Sequence, residues 1–179
     1  MYNIGQSFTQ SETPMSTRPL LILAISAAFC GLGSAQEAVF QTRSLTPETA
    51  HAAARAALEA CRAKGYQVTV AVVDRAGVTQ VLLRDRFAGP HTVDVATNKA
   101  WTASSMRMST TAFGAETQPG KPMSGLRSHA RVMAAGGGLV IEGGGSILGG
   151  IGVSGAPGGD ADEACAQAGL KAIADAIEF

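Results

Sequence analysis

The segment SLTPETAHAAARAALEACRAKG, residues 44–65, places small apolar residues at helical spacing between two boundary signals. Thr46 is suited to cap a helix N-terminus, because its hydroxyl can accept a backbone N–H, and Pro47 fits the first helical turn. Gly65 is typical of the position just after a helix ends. The pattern therefore predicts a helix that begins after Thr46 and stops at Gly65.

Two apolar, β-branched runs follow, at residues 67–73 and 78–83, and the four residues DRAG at 74–77 separate them. A connection this short joins antiparallel neighbours, so the two runs are predicted to form a hairpin. Because Val and Leu make up most of both runs, we expect both faces to be buried, with helices covering at least one of them.

Apolar residues recur at helical spacing over residues 93–108, after Thr92 as a candidate cap, and predict a second helix. Residues 109–136 are only weakly periodic, and their prolines and glycines are typical of loops. We expect one or two short helices in this part of the chain.

The last third of the chain predicts two more strands and a helix. The strands are expected at residues 139–142 and 146–153, joined by three glycines. Asp160 has the position of an N-cap, and Glu163 completes a capping box, so the final helix is predicted to run from there to Ile177.

The order of elements is helix, strand pair, helices, strand pair, helix. Both strand pairs have connections too short for a parallel crossover, so the sheet is predicted to be largely antiparallel. Helices must then pack on this sheet to bury its apolar face, which is an α+β architecture.

The glycines of GGIGVSG, residues 149–155, have the spacing of a dinucleotide-binding fingerprint at Gly150, Gly152 and Gly155. Such a site requires its helix to begin within the motif, whereas this helix is expected only from Asp160. We reject a dinucleotide site. Glycines inside a strand instead indicate close approach by another backbone, here a packed helix, or by a flat ligand.

The first 35 residues are predicted to be a secretory signal peptide, because a short apolar run ends in small residues. Cleavage is expected before Gln36, and Met15 is an alternative start site. Residues 36–44 are expected to be a flexible leader, and residues 45–179 a single domain. We expect the mature protein to be periplasmic or secreted.

Charge adds little to this picture, since fourteen Lys and Arg residues balance fourteen Asp and Glu residues. A balanced chain offers no excess of basic groups for phosphates, so we expect no nucleic-acid partner. No later segment has the length and composition of a membrane span, so no membrane association is expected after signal cleavage.

Two cysteines of the expected mature chain, Cys61 and Cys165, lie on different predicted helices. Export permits a disulfide between them. Two separate buried thiols are an equally good interpretation, because the sequence does not tell whether the helices touch.

Two segments carry a family resemblance: GGLVIEGGGSILGGIGVSGAPGGDADEACAQAGLKAI at residues 137–173, and AGPHTVDVATNKAWTA at residues 88–103. Both resemble motifs of the GlcG/HbpS-like family of haem-binding and haem-degrading proteins, and the similarity extends over residues 45–177. The resemblance implies a profilin-like or PAS-like fold, assembly into homo-oligomers, and haem as a cofactor. It also implies roles in iron and redox sensing or beside small-acid metabolism.

Candidate ligand-binding residues follow from these motifs. His91 precedes the second helix and is the candidate metal ligand, with Asp94 placed to accept its second ring N–H. Lys99 and Thr102 match the family's Lys-Ala and Thr-Ala positions, and we expect the Lys99 ammonium to pair with a ligand carboxylate or with Glu142. Three glycines are expected to form a wall without side chains: Gly144, Gly150 and Gly152.

Other residues have a plainer explanation. His51 is expected to occupy an ordinary helix position, and His129, between two arginines, could serve a carboxylate pocket or a solvated surface. Trp101 could stack on a flat ring or pack in the core. Of Met106 and Met108, two apart on a helix, at most one can face an iron.

Three functions remain open on this basis. The leading hypothesis is an exported protein that binds haem or a small carboxylate, in haem or iron handling or redox sensing. The second is an accessory enzyme that acts on a small organic acid, with Lys99 or His91 as acid or base. The third is a structural assembly module in which the glycines serve packing alone.

Overall fold

The computed structural model describes residues 38–178. The predicted signal peptide therefore lies outside the described residues and stays a prediction, and residues 38–44 are exposed and form neither helix nor strand. The elements are α1 Pro47–Ala63, β1 Thr69–Asp74, β2 Thr79–Arg84, α2 Thr92–Met106, α3 Thr110–Glu116, a short 3₁₀ helix Ser124–Ser128, β3 Gly138–Gly143, β4 Ser146–Ser154 and α4 Gly159–Ile177.

The first helix has the predicted boundaries. The Thr46 hydroxyl accepts the backbone N–H of Thr49 at 3.2 Å, which satisfies one of the donors left free at a helix start. Beyond the last turn, Gly65 has φ +80°, a left-handed conformation that residues with a Cβ adopt rarely.

The four strands form one antiparallel sheet in the order β2-β1-β4-β3. β1 is central, and its Val72 lies opposite Val81 of β2 and Ile151 of β4. β3 pairs with the other edge of β4. The α+β prediction is confirmed.

Helices cover the two faces of the sheet unequally. α1 and α4 pack on one face against Val70, Val72 and Ile151, whereas α2 packs on the opposite face against Ala71 and Val73. β1 is thereby buried on both faces, as predicted. The same prediction is wrong for β2, because it is an edge strand that α2 hardly reaches, and Leu82 is left 38 % exposed.

Cys61 of α1 and Cys165 of α4 form a disulfide between fully buried positions. The two helices pack closely on the same face of the sheet, and Gly169 of α4 permits their approach, since a Cβ there would lie 2.6 Å from the carbonyl oxygen of Ala53. The structure thus resolves the two alternatives for the cysteines in favour of the disulfide.

Three helix boundaries differ from the prediction. α2 begins at Thr92, which is therefore its first residue and not its cap, since the cap position is occupied by His91. α2 ends at Met106, two residues early, because Arg107 takes a left-handed conformation with φ 56°. α4 begins at Gly159, and its cap residue Gly158 makes no side-chain hydrogen bond, so the predicted capping box of Asp160 and Glu163 is wrong.

Residues 109–136 contain α3 and the 3₁₀ helix, as expected. Among the described residues, no helix is both long and apolar enough to cross a membrane.

Candidate functional site

A cleft of about 520 Å³ opens where three connections meet: the turn after α1, the loop from β2 to α2, and the segment from β4 to α4. We call it the His91 cleft, and its walls include Gln67, Phe87, His91, Ser154, residues 155–159 and Asp162. Turns and loops form most of the opening, and the ends of the strands and helices hold them in place.

His91 is exposed and directly precedes α2. Its ring packs beside Gly89, where a Cβ would lie 2.7 Å from the imidazole Cε1. Within residues 38–178 the ring makes no hydrogen bond, so the expected bond to Asp94 is not formed. Neither ring nitrogen is therefore held by a hydrogen bond within this part of the chain, and Nε2 is the one farther from Gly89.

Thr92, the next residue, fixes the backbone beside His91. Its hydroxyl donates to the carbonyl oxygen of Gly89 at 2.6 Å and lies 2.7 Å from the hydroxyl of Thr69 on β1. Since Thr69 and Thr92 are both buried, this contact ties the start of α2 to the central strand. The imidazole is thus carried by an anchored backbone.

A buried ion pair lies beneath the cleft. Lys99 Nζ donates to Asp162 Oδ2 at 2.7 Å and to the carbonyl oxygen of Val153 at 2.9 Å, and Asp162 Oδ1 accepts the N–H of Ala156 at 2.9 Å. Lys99 is only 3 % exposed. The expectation that Lys99 pairs with a ligand or with Glu142 is therefore wrong, since its partner is Asp162.

Burial raises the pKa of the Asp162 carboxyl, because the charged form loses its hydration. The hydrogen bond and positive charge of Lys99 oppose this rise, as does the N–H of Ala156. The pair joins α2, α4 and the segment after β4, so its chief effect is to fix one wall of the cleft.

The predicted glycine wall is not at the cleft. A Cβ on Gly150 would lie 2.4 Å from the carbonyl oxygen of Ala100, and one on Gly152 would lie 2.1 Å from that of Ala96. These glycines admit α2 against the sheet and leave no space for a ligand between them. Gly144 lies in the exposed β3–β4 turn, with φ 52°.

Thr102 is also outside the cleft. Its hydroxyl is buried and accepts the N–H of Met133 at 2.9 Å, which attaches the segment before β3 to α2. Of the six predicted site residues, the cleft includes His91 alone, with Lys99 beneath it. Five other glycines line the cleft: Gly65, Gly89, Gly155, Gly158 and Gly159.

Trp101 and His129 form a second cluster away from the cleft. Their rings stack with centroids 5.4 Å apart, and the Arg131 guanidinium lies 4.8 Å from the Trp101 ring centre. His129 Nδ1 accepts the N–H of Arg131 at 3.2 Å, so in the neutral ring the proton is on Nε2. This histidine is a hydrogen-bond donor to solvent and is not poised as a metal ligand.

Several residues of the cleft were not identified from the sequence. Phe87 is 79 % exposed, although it is a large apolar side chain. Gln67 Oε1 is buried without a hydrogen-bond partner. A phenylalanine within the polar segment RDRFAGP was a visible signal for Phe87, whereas nothing in the sequence distinguished Gln67.

Three other clefts within residues 38–178 have no histidine among their lining residues. One of about 770 Å³ lies between α3 and the first half of α4, where the Thr111 hydroxyl donates to Glu163. Among residues 38–178 there is no group of three His, Cys, Asp or Glu side chains that could hold a metal ion.

A family model described as "Haem degrading protein HbpS-like" matches residues 45–171. The chain belongs to the HbpS-like family. A double mutant of Streptomyces reticuli HbpS is 34 % identical, with a TM-score of 0.72 over 90 % of this chain and 97 % of that one. The structure of a PduOC:heme complex is 33 % identical, with a TM-score of 0.69 over 73 % and 95 % of the two chains.

The corrinoid adenosyltransferase PduO of Salmonella typhimurium is 36 % identical over 107 residues, which are 59 % of this chain and 32 % of PduO. This HbpS-like chain thus spans about a third of the length of that curated relative. The family resemblance seen in the sequence is confirmed.

Proposed function

We propose that this HbpS-like protein is an exported haem-binding protein and that His91 ligates the haem iron. The observation that carries the proposal is the imidazole of His91, which is exposed to a cleft and makes no hydrogen bond within residues 38–178. The similarity to a PduOC:heme complex supports haem as the ligand.

The cleft residues fit such a group. A bound haem would bring an iron that its porphyrin already holds, so His91 alone could serve as the ligand from the protein. Phe87 and the small residues 155–159 offer apolar and unobstructed surface. Lys64 and Arg86 are exposed and directly precede Gly65 and Phe87, where cationic groups can pair with propionates.

Titration of the purified protein with hemin tests the proposal. We expect a saturable shift of the Soret band that His91→Ala removes, because no other imidazole lines the cleft. His51→Ala and His129→Ala are matched controls, since both side chains are exposed and lie elsewhere, and they should retain the shift. A shift that survives in His91→Ala would refute His91 as the ligand.

The alternative functions receive less support. An acid–base enzyme loses one of its two candidates, because Lys99 is committed to Asp162 and Val153. A purely structural module is consistent with Gly150 and Gly152, because both are explained by the packing of α2 on the sheet. It does not explain an open cleft lined by an imidazole without a hydrogen bond. A role in iron handling or redox sensing remains part of the proposal.

Export is supported by the disulfide between Cys61 and Cys165, because disulfides persist in oxidising compartments. Export is tested by the intact mass of the protein recovered from outside the cytoplasm. We expect the mass of a mature chain that begins at Gln36. Homo-oligomer formation is supported by the exposure of Leu82 on the edge strand β2 and of Val78 just before that strand, since a second copy could cover them.

A further inference from the structure

Phe87 exposes 79 % of its surface, although it belongs to a folded loop between β2 and α2. A ring in that position gives folding almost nothing, because hydrophobic stabilisation follows the apolar area removed from water. The ring lines the His91 cleft, on the same opening as the uncommitted imidazole. Its position is therefore better explained by a ligand than by the fold.

The loop that carries Phe87 is fixed on its N-terminal side. Asp85 is 2 % exposed and accepts both Nε and Nη2 of Arg62, at 2.7 and 2.9 Å. The same carboxylate accepts the N–H of Arg86 at 2.9 Å, and the Asp85 N–H donates to the carbonyl oxygen of Val68. These bonds hold the backbone in place on this side of Phe87.

The C-terminal side is fixed as well. Ala88 is 2 % exposed, its N–H donates to the carbonyl oxygen of Asp85 at 3.1 Å, and its own carbonyl oxygen accepts Nη2 of Arg84. A backbone anchored on both sides holds Phe87 at the mouth of the cleft before any ligand arrives. Such pre-organisation lowers the entropy lost on binding.

The remaining wall of the cleft suits a flat occupant. Residues 155–159 are Gly, Ala, Pro, Gly and Gly, so no long side chain projects from this segment. The Lys99–Asp162 ion pair fixes the segment from below through Val153 and Ala156. An aromatic side chain on an anchored backbone and a wall of small residues together favour a planar conjugated molecule over a small carboxylate.

We propose that Phe87 is the specificity-determining residue of the His91 cleft and that it selects conjugated planar rings by stacking. This inference rests on the proposed function for the site, but it concerns the ring and not the iron. Phe87 must therefore act on a porphyrin that contains no metal, which His91 cannot ligate.

Iron-free protoporphyrin IX separates the two contributions. In a fluorescence titration, Phe87→Leu should weaken the binding of protoporphyrin IX about ten-fold, because leucine stays apolar but loses the flat face on which a conjugated ring stacks. Phe87→Trp should bind protoporphyrin IX about as tightly as the wild type, because it keeps a flat aromatic face at this position. Phe40→Leu is the matched control, since Phe40 is 86 % exposed and lies outside the cleft.

The inference is overturned if Phe87→Leu binds protoporphyrin IX with wild-type affinity, or if Phe87→Trp fails to bind it as well as the wild type. It is also overturned if the affinity lost in Phe87→Leu accompanies a change of oligomeric mass, measured by light scattering. The last would assign Phe87 to a contact with a second copy. If hemin binds through His91 while Phe87→Leu changes nothing, only this inference fails. If hemin gives no shift while protoporphyrin IX binding depends on Phe87, only the proposed function fails.

Discussion

At the scale of single residues, the Lys99–Asp162 pair shows that a lysine predicted to bind a ligand can instead be buried in an ion pair. The sequence presents Lys99 as an exposed cation for a ligand, but its ammonium is enclosed with a carboxylate sixty-three positions later in the chain. A buried pair contributes little net stability, whereas removing one partner leaves a buried charge without compensation.

Lys99→Met should therefore destabilise the protein by about 3–5 kcal/mol near neutral pH. Burial already raises the pKa of Asp162, and loss of Lys99 raises it further. When a carboxyl has a higher pKa in the folded protein than in the unfolded chain, it favours folding at pH values below its pKa in the unfolded chain. This contribution is lost as the pH rises through its pKa in the folded protein. The defect should thus be smallest near pH 4 and grow towards neutral pH.

Urea unfolding of Lys99→Met at several pH values measures this trend. The double variant Lys99→Met/Asp162→Asn is the control, because it has no buried charge, and its stability should depend much less on pH. A defect of equal size at all pH values would show that Lys99 acts through packing alone.

At the scale of elements, the glycines of β4 determine how closely α2 approaches the sheet. The sequence predicted every helix and strand, because periodicity and turn residues are local signals. The sequence did not show whether the glycines of β4 face a packed helix or an open ligand site. That depends on α2, which lies about fifty residues earlier in the chain and packs over Gly150 and Gly152.

Gly152→Ala should lower the free energy of unfolding by about 1–3 kcal/mol, because the new methyl group overlaps the backbone of Ala96 and Ala100. Thermal unfolding measures the effect. Gly125→Ala is the matched control, since a Cβ there meets nothing within 4 Å and should leave stability nearly unchanged. Equal melting temperatures for the two variants would contradict the close packing of α2.

At the scale of the whole molecule, the His91 cleft shows why only part of a site can be found from sequence. His91 was identified because histidine before a helix is a distinct chemical signal. Phe87, Gln67 and residues 155–159 reach the same cleft only through the fold of the sheet, which places the ends of β1, β2 and β4 together. No spacing within one segment contains that information.

The disulfide constrains the molecule at this scale, because it joins positions 104 residues apart. Closing so long a loop removes conformational freedom chiefly from the unfolded chain, and reduction should cost about 2–5 kcal/mol. Urea unfolding with and without dithiothreitol measures this loss. The double variant Cys61→Ala/Cys165→Ala should show a similar loss and no further response to the reductant, whereas a continued response would place the effect outside this disulfide.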